Sequence, residues 1–449
     1  MEPQARSVTE HVERVLALVA PMPAEARSLE DAFGSVLTED LYASVSVPPF
    51  DGAAMDGYAV RLADLPPDGS PATLEVTGDV AAGPSGLTEV GTGQAVRIMT
   101  GAPLPPGADA VIPVERTSTG RFVAGAPRAE DSVTLARQSR PHVRCAGEDV
   151  RQGELLARAG TELTAALVGA LAASGTVRVA VRRRPLVAVV STGSELVPIG
   201  GALGPGQITD SNGPMLAAAA RAAGADVVRL GPVTDDPAAL RRVLDQAVRT
   251  DADGAGADLV VTAGGVSAGA ADVVREVLAA PGSNGPGATD ADVATVAMSP
   301  GKPQALAHWG GVPWLALPGN PVGAYASFEL FARPAIDRLR GVEAASGRHH
   351  PPGVGCSEST VSTQSNTPRA VPLAAAAGWS GSPGRLLVVP VRLVPLPDAA
   401  GTAPGSTGVV PAGSHHSLAA LATADGLALV PPDVEKVCPG DIVQVLMLR

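Results

Sequence analysis

The sequence predicts an α/β multidomain chain, with an open parallel sheet in its second half and smaller β-rich parts around it. Three observations carry that prediction. Residues 186–340 alternate short apolar runs with helical patterns, as repeated strand–helix units do. The stretches up to about residue 144 and beyond residue 360 hold short β-like runs broken by Pro and Gly. A chain of 449 residues is also too long for one core, so two to four domains follow.

In chain order, Ser7 and Glu10 make a capping box, and Val8, Val12, Val15, Leu16 and Val19 share one helical face. Pro21 and Pro23 end that helix. A second short helix is expected from Ser28, with Leu29, Ala32, Phe33 and Val36 as its apolar side. From Ser44 the pattern turns extended, with a turn at Asp51-Gly52. Thr73–Thr77, Ala95–Met99 and Ala110–Val114 read as strands of a small β domain, and Met99 to Pro103 as a tight loop directly after one of them. A helix is expected near Thr164–Ala173, and Arg182 to Pro185 reads as a linker.

In the α/β part the expected strands are Leu186–Val190, Asp226–Leu230, Leu259–Val261 and Trp314–Leu317. Helices are expected near Pro214–Ala223, Pro237–Val248, Asp272–Leu278 and Pro321–Leu339. Asp236 is a capping residue with Pro237 in the first turn. The stretch from Asp258 to Asp272 organises the whole: a buried strand, then Gly264, Gly265 and Gly269, then a helix. That geometry can aim backbone N–H groups at an anion, and it also occurs in sheets that bind nothing there. Ligands of such sheets sit at the carboxyl ends of the strands. Four loops there are chemically marked: Ser191 to Glu195, Asp235-Asp236, Thr262 to Ser267 and Pro318 to Pro321. Residues 341–360 read as a linker and 397–416 as a mobile loop. Leu427–Val430 and Ile442–Leu446 are the clearest strands of a C-terminal β domain.

A net charge of −12 and a pI of about 5.1 disfavour partners such as nucleic acid or anionic membrane. Cys145, Cys356 and Cys438 lack metal or redox spacing and read as reduced structural thiols. No signal peptide or uninterrupted apolar span is evident, which predicts a cytoplasmic protein with no membrane partner.

Acidic residues recur at strand and turn ends: Asp56, Asp149, Glu195, Asp235 and Asp272. Each alone reads equally as a turn cap or a solvated carboxylate. Gathered around an anionic substrate they would repel it unless a hard cation lay between, and Mg2+ is the natural candidate. Thr100 can bond a phosphate or serve as a plain turn hydroxyl. Lys302 can be a phosphate-binding cation or a solvated one. Asn320 can shape the backbone between Gly319 and Pro321 or touch substrate.

Together these motifs resemble the molybdopterin molybdenumtransferases, the MoeA/gephyrin E-domain family. The resemblance begins at Pro49-Phe50-Asp51 and Ala54 to Val60. It continues through Met99 to Pro103, Gly147-Glu148-Asp149, Ser191-Thr192-Gly193 with Glu195-Leu196, and Asp235-Asp236-Pro237. It ends on Gly264 to Ser267 with Gly269, Leu317 to Pro321, and a tail from Gly413 to Asp441. It implies an elongated helical and extended domain (1–48 plus 145–182) and an inserted β domain (49–144). A MogA-like parallel α/β domain (183–340) and a C-terminal β-barrel-like domain (352–449) follow. It further implies a cytoplasmic homodimer whose site faces the partner subunit, insertion of molybdate into adenylylated molybdopterin with release of AMP, and a Mg2+ cofactor. Molybdopterin adenylyltransferase and molybdoenzyme apo-proteins are the implied protein partners.

By the same resemblance Asp56, Asp149, Glu195, Asp235 and Asp272 are the catalytic residues. Thr100, Gly264, Gly265, Ser267, Lys302 and Asn320 bind substrate, and Asp56, Glu195 and Asp272 hold the metal. One departure stands out. Thr295 and Ser299 occupy positions where many family members carry lysine, leaving Lys302 alone before Pro303. A catalytically weakened paralogue that binds molybdopterin or partner proteins is the alternative this raises.

Overall fold

The structure is a computed structural model that describes residues 5–84, 86, 88–122, 130–249, 256–266, 272–279, 287–342, 370–396 and 406–448. Its contacts divide into two units, Ala26–Val181 and Met1–Glu25 with Arg182–Arg449. The first helix, α1 (Val8–Ala17), belongs to the second of these. Ser7 caps it through a 3.1 Å bond from the Glu10 amide, one half of the expected capping box. The Glu10 carboxylate instead meets Arg14 at 3.3 Å.

In the Ala26–Val181 unit the expected helix after Ser28 is absent. Asp31 N–H donates to the Ser28 hydroxyl at 3.2 Å, closing a turn, and Gly34 at φ 71 reverses the chain. Local side-chain bonding has outcompeted a helix too short to nucleate, and Phe33 is left exposed. Five strands then form one sheet: β1 (Gly57–Val60), β2 (Ala72–Val80), β3 (Gln94–Ile98), β4 (Ala110–Pro113) and β5 (Ser132–Leu135), in the order β4-β1-β3-β2-β5. Its two faces bury separate clusters, Tyr58 and Val60 on one and Ala59 and Val96 on the other, the period of two that a pleated strand imposes. A third core, containing Leu37, Leu163 and Leu171, packs helix α2 (Ala165–Ala173), which Thr164 caps.

The larger unit is built on a sheet of β6 (Leu186–Thr192), β7 (Asp226–Val233), β8 (Leu259–Ala263), β9 (Ala288–Thr295), β11 (Pro303–Trp309) and β12 (Val312–Leu317). Their order is β7-β6-β8-β12-β11-β9. The four predicted strands are parallel neighbours. The sheet as a whole is mixed, because β11 and β9 add an antiparallel edge. In β6, Val187 and Val189 face one core while Ala188 and Val190 face the other, so the run from Leu186 to Val190 is apolar on both faces. Helices α3 (Asn212–Ala222), α4 (Pro237–Val248) and α5 (Val273–Ala279) follow β6, β7 and β8. Val15 and Val19, from α1 and the residues after it, join the Val187 face.

The last helical stretch, expected as one helix, is α6 (Pro321–Ser327) and α7 (Arg333–Arg340) joined by a π-helical turn at Phe328–Ala332. Pro334 lacks an N–H and its ring crowds the preceding turn, which a wider turn accommodates.

The C-terminal strands β13 (Ala370–Ala375), β14 (Leu386–Pro395), β15 (Thr407–Pro411), β16 (Gly426–Val430) and β17 (Ile442–Met447) run β14-β15-β13-β17-β16. β16 pairs back onto β14, closing a five-stranded barrel. A two-residue strand, β10 (Met298–Ser299), leaves the α/β layer and pairs in parallel with the barrel's β14. The mobile loop expected at 397–416 is thus corrected in part: Thr407–Pro411 is a barrel strand, paired along β14 and, at Gly408 and Val409, with β13 as well. Residues 397–405 lie outside the described residues. Cys145 and Cys438 are free and exposed rather than structural core thiols, and Cys356 lies outside the described residues. Among the described residues no helix is long and apolar enough to cross a membrane.

Candidate active site

All four marked loops of the α/β layer meet around one cavity of ≈ 370 Å³. It is walled by Thr192, Gly193 and Glu195 after β6, Asp235 after β7, Gly264 to Val266 after β8, and Pro318 to Pro321 after β12. These are the carboxyl ends of adjacent parallel strands, where diverging loops leave room for a ligand.

The two glycines after β8 are required by space as well as conformation. Gly264 has φ 106, and a Cβ there would lie 2.3 Å from the Thr192 carbonyl oxygen. Gly265 has φ 62, and a Cβ there would press on Val273 Cγ1 at 2.8 Å. Any side chain would force the loop off the neighbouring strand end. At Gly193, a Cβ would meet both Glu195 carboxylate oxygens at 2.6 and 2.7 Å, so this glycine lets Glu195 fold over the strand end.

Asp235 and Ser194 lock two loops reciprocally. Asp235 Oδ2 accepts from Ser194 N at 2.9 Å, and Asp235 N donates to Ser194 Oγ at 3.0 Å. Asp236 caps α4 by accepting from Ala238 N at 3.0 Å. Asn320 caps α6, its Oδ1 accepting from Val322 N and Gly323 N at 3.1 Å each. Its side-chain oxygen is therefore used on the backbone, while the residue also borders the cavity. Asp272 lines the wall immediately before α5.

Of the residues expected at the site, Glu195, Asp235, Asp272, Gly264, Gly265 and Asn320 are brought together here. Ser267 lies outside the described residues. Lys302 is exposed and not part of the wall, although Pro303 beside it is. Asp56, Thr100 and Asp149 belong to the Ala26–Val181 unit. There, Thr100 N and Oγ1 both donate to Asp56 Oδ1 at 2.7 Å. Those two bonds hold the Asp56 carboxyl below its ordinary pKa. Asp149 is paired with Arg144 at 2.6 Å.

Among the described residues no group of three or more His, Cys, Asp or Glu is arranged as a ready-made metal site. Glu195, Asp235 and Asp272 still give one cavity an all-oxygen, anionic donor set. That chemistry suits a hard divalent cation that completes its shell with phosphate oxygens and water.

Sequence reasoning missed Asn212. It opens α3, is 7% exposed, and donates Nδ2 to the Gly319 carbonyl at 2.7 Å. The only available signal was the Asp210-Ser211-Asn212 run before a helical pattern. Thr295 ends β9 opposite Pro303. Ser299 lines a second cavity of ≈ 280 Å³ against the barrel, with Ser380, Ser382 and His415.

The larger unit thus joins a mixed α/β layer, with a cavity at its parallel strand ends, to a closed five-stranded barrel. Family models match nearly the whole length. The MoeA N-terminal region (domains I and II) matches residues 6–175, a probable molybdopterin binding domain residues 188–338, and the MoeA C-terminal region (domain IV) residues 372–448. The chain is 38% identical to molybdopterin molybdenumtransferase 2 of Mycobacterium tuberculosis, over 98% of this chain and 99% of that one. It is 31% identical to the molybdopterin molybdenumtransferase of Bacillus subtilis, over 98% and 94%. A molybdopterin biosynthesis MoeA protein from Pyrococcus horikoshii superimposes with a TM-score of 0.70 at 28% identity, covering 99% of this chain and all of that one. The chain belongs to the MoeA family of molybdopterin molybdenumtransferases, a family of molybdenum cofactor biosynthesis. Full-length similarity to relatives carrying that name does not favour the weakened-paralogue alternative.

Proposed function

We propose that this chain inserts molybdate into adenylylated molybdopterin and releases AMP. The observation that carries the reading is the convergence of Glu195, Asp235, Asp272 and the Gly264-Gly265 turn on one cavity at the parallel strand ends. The glycine turn brings backbone close to the ligand with no side chain between, which suits the pyrophosphate link of an adenylylated pterin. The Asp235–Ser194 lock fixes two walls before substrate arrives, so charge stabilisation needs no rearrangement. Asp56, Glu195 and Asp272 are the proposed holders of Mg2+, which when bound would supply neutralisation of the phosphates and of the leaving AMP. Molybdate is the second substrate, delivered to the dithiolene end of the pterin.

The same reading takes the chain as a cytoplasmic homodimer, with Asp56, Thr100 and Asp149 contributed to the site and Ser267 and Lys302 as further anion contacts. Molybdopterin adenylyltransferase would supply its substrate and molybdoenzyme apo-proteins would receive its product. The four domains are proposed at 1–48 plus 145–182, 49–144, 183–340 and 352–449. The test is AMP release from adenylylated molybdopterin with molybdate and Mg2+, coupled to reconstitution of a cofactor-free molybdoenzyme. Turnover is expected, and Asp272→Ala should abolish it. Absence of AMP release with every component present refutes the proposal.

A further inference from the structure

Two buried polar atoms on residues that line the cavity have no partner among the described residues. Asn212 and Thr192 are 7% and 4% exposed, both line the cavity, and neither Asn212 Oδ1 nor Thr192 Oγ1 makes a hydrogen bond to any described residue. Buried polar groups are almost always paired, so such atoms point to a ligand.

The chemistry of that ligand follows from the fixed amide. Asn212 Nδ2 donates to the Gly319 carbonyl at 2.7 Å. Flipping the amide would set two oxygens against each other, so Oδ1 is locked as an acceptor. An ionised phosphate has only acceptors and would be repelled there. A ligand group that hydrogen-bonds to Asn212 Oδ1 must donate a hydrogen. Thr192 Oγ1 lies beneath the glycine pair, where a Cβ on Gly264 would come to 2.8 Å and one on Gly265 to 3.1 Å. Its hydroxyl can complement either a donor or an acceptor.

We infer that Asn212 and Thr192 are specificity residues that read a neutral, donor-bearing part of the substrate, a heterocycle N–H or a sugar hydroxyl, and not its phosphates. The inference rests on the adenylylated-pterin reading above. It divides the cavity by chemistry: phosphates at the glycine turn and carboxylate wall, a hydrogen donor at Asn212 and Thr192.

Calorimetric titrations of wild type, Thr192→Val and Asn212→Leu test it, with AMP, 2′,3′-dideoxy-AMP, free pterin and inorganic pyrophosphate as probes. Thr192→Val is expected to melt no lower than wild type, because its hydroxyl has no structural bond to lose among the described residues. Both variants should bind AMP or pterin about threefold to tenfold more weakly, the effect of one neutral hydrogen bond. Pyrophosphate affinity should stay within about twofold of wild type. A penalty that vanishes with dideoxy-AMP assigns the donor to the ribose, one that persists assigns it to adenine, and one confined to pterin assigns it to the pterin ring. Equal weakening of pyrophosphate, or unchanged affinity for every probe in Thr192→Val and Asn212→Leu, overturns the inference while leaving the proposed function standing. A wild type that binds neither AMP nor pterin overturns both.

Discussion

Three glycines of the α/β layer, all at positive φ, form an internally controlled test of the close approach beneath the cavity. Gly200 has φ 83 and nothing within 4 Å of where a Cβ would stand, so Gly200→Ala reports conformational strain alone, about 1 kcal/mol. Gly265→Ala adds pressure on the methyl ends of Val273 and Val274 at 2.8 and 3.3 Å. Those side chains can shift, which sets the expected cost at about 2 kcal/mol. Gly264→Ala would place its Cβ 2.3 Å from the Thr192 carbonyl oxygen, at a φ of 106 that alanine rarely adopts. Backbone cannot yield as a side chain does, so strain and overpacking add to about 4 kcal/mol. The assay is urea unfolding followed by tryptophan fluorescence in a Trp379→Phe background. The remaining tryptophans, Trp309 and Trp314, are both 1% exposed and belong to this sheet. With a slope of about 2 kcal/mol/M, the midpoints should fall by roughly 0.5, 1 and 2 M in that order. A Gly264→Ala midpoint indistinguishable from that of Gly200→Ala refutes the close-approach argument.

Burial and the neighbouring Arg6 lower the His11 pKa from 6.5 to about 4. The folded state thus resists a proton the unfolded chain accepts, so stability is complete above pH 6.5 and falls by about 3 kcal/mol as pH drops to 4. Urea midpoints across that range should show the decline in wild type and a flatter profile in His11→Leu. Glu329 and Arg333 form a buried pair, with Arg333 Nη2 2.8 Å from Glu329 Oε1. Glu329→Gln should therefore cost about 3 kcal/mol in chemical denaturation, and Glu329→Leu with Arg333→Met should recover most of it. Thr100→Val removes one of the two Thr100 bonds to Asp56. An NMR titration should then show the Asp56 pKa rising toward 3.8; an unchanged pKa would contradict the assigned cause.

What could be read in advance follows the range of the interactions responsible. The cavity loops were legible because Gly264-Gly265, Asp235-Asp236-Pro237 and Pro318 to Pro321 declare a turn or a cap within a few residues. The parallel strands were legible because burial on both faces leaves apolar runs at Leu186–Val190, Leu259–Val261 and Trp314–Leu317. Strand β9 was not, since an edge strand carrying Asp290 and Asp292 has no apolar face to advertise. Asn212 was invisible for a different reason: its partner Gly319 is 107 residues away. The short helix expected after Ser28 failed because a Ser–Asp turn satisfies the same residues with less ordering.

The two-residue strand β10 makes the barrel and the α/β layer mechanically inseparable. Met298 and Ser299 emerge from the connection between β9 and β11, at the edge of one, and finish paired along Leu386 and Leu387 of the other. Cutting the chain within the segment at 343–369 would therefore not release two autonomous modules. The amino-terminal fragment would carry a naked β edge just ahead of Lys302 and Pro303, and any flexing of the barrel in the intact chain pulls directly on the connection between β9 and β11.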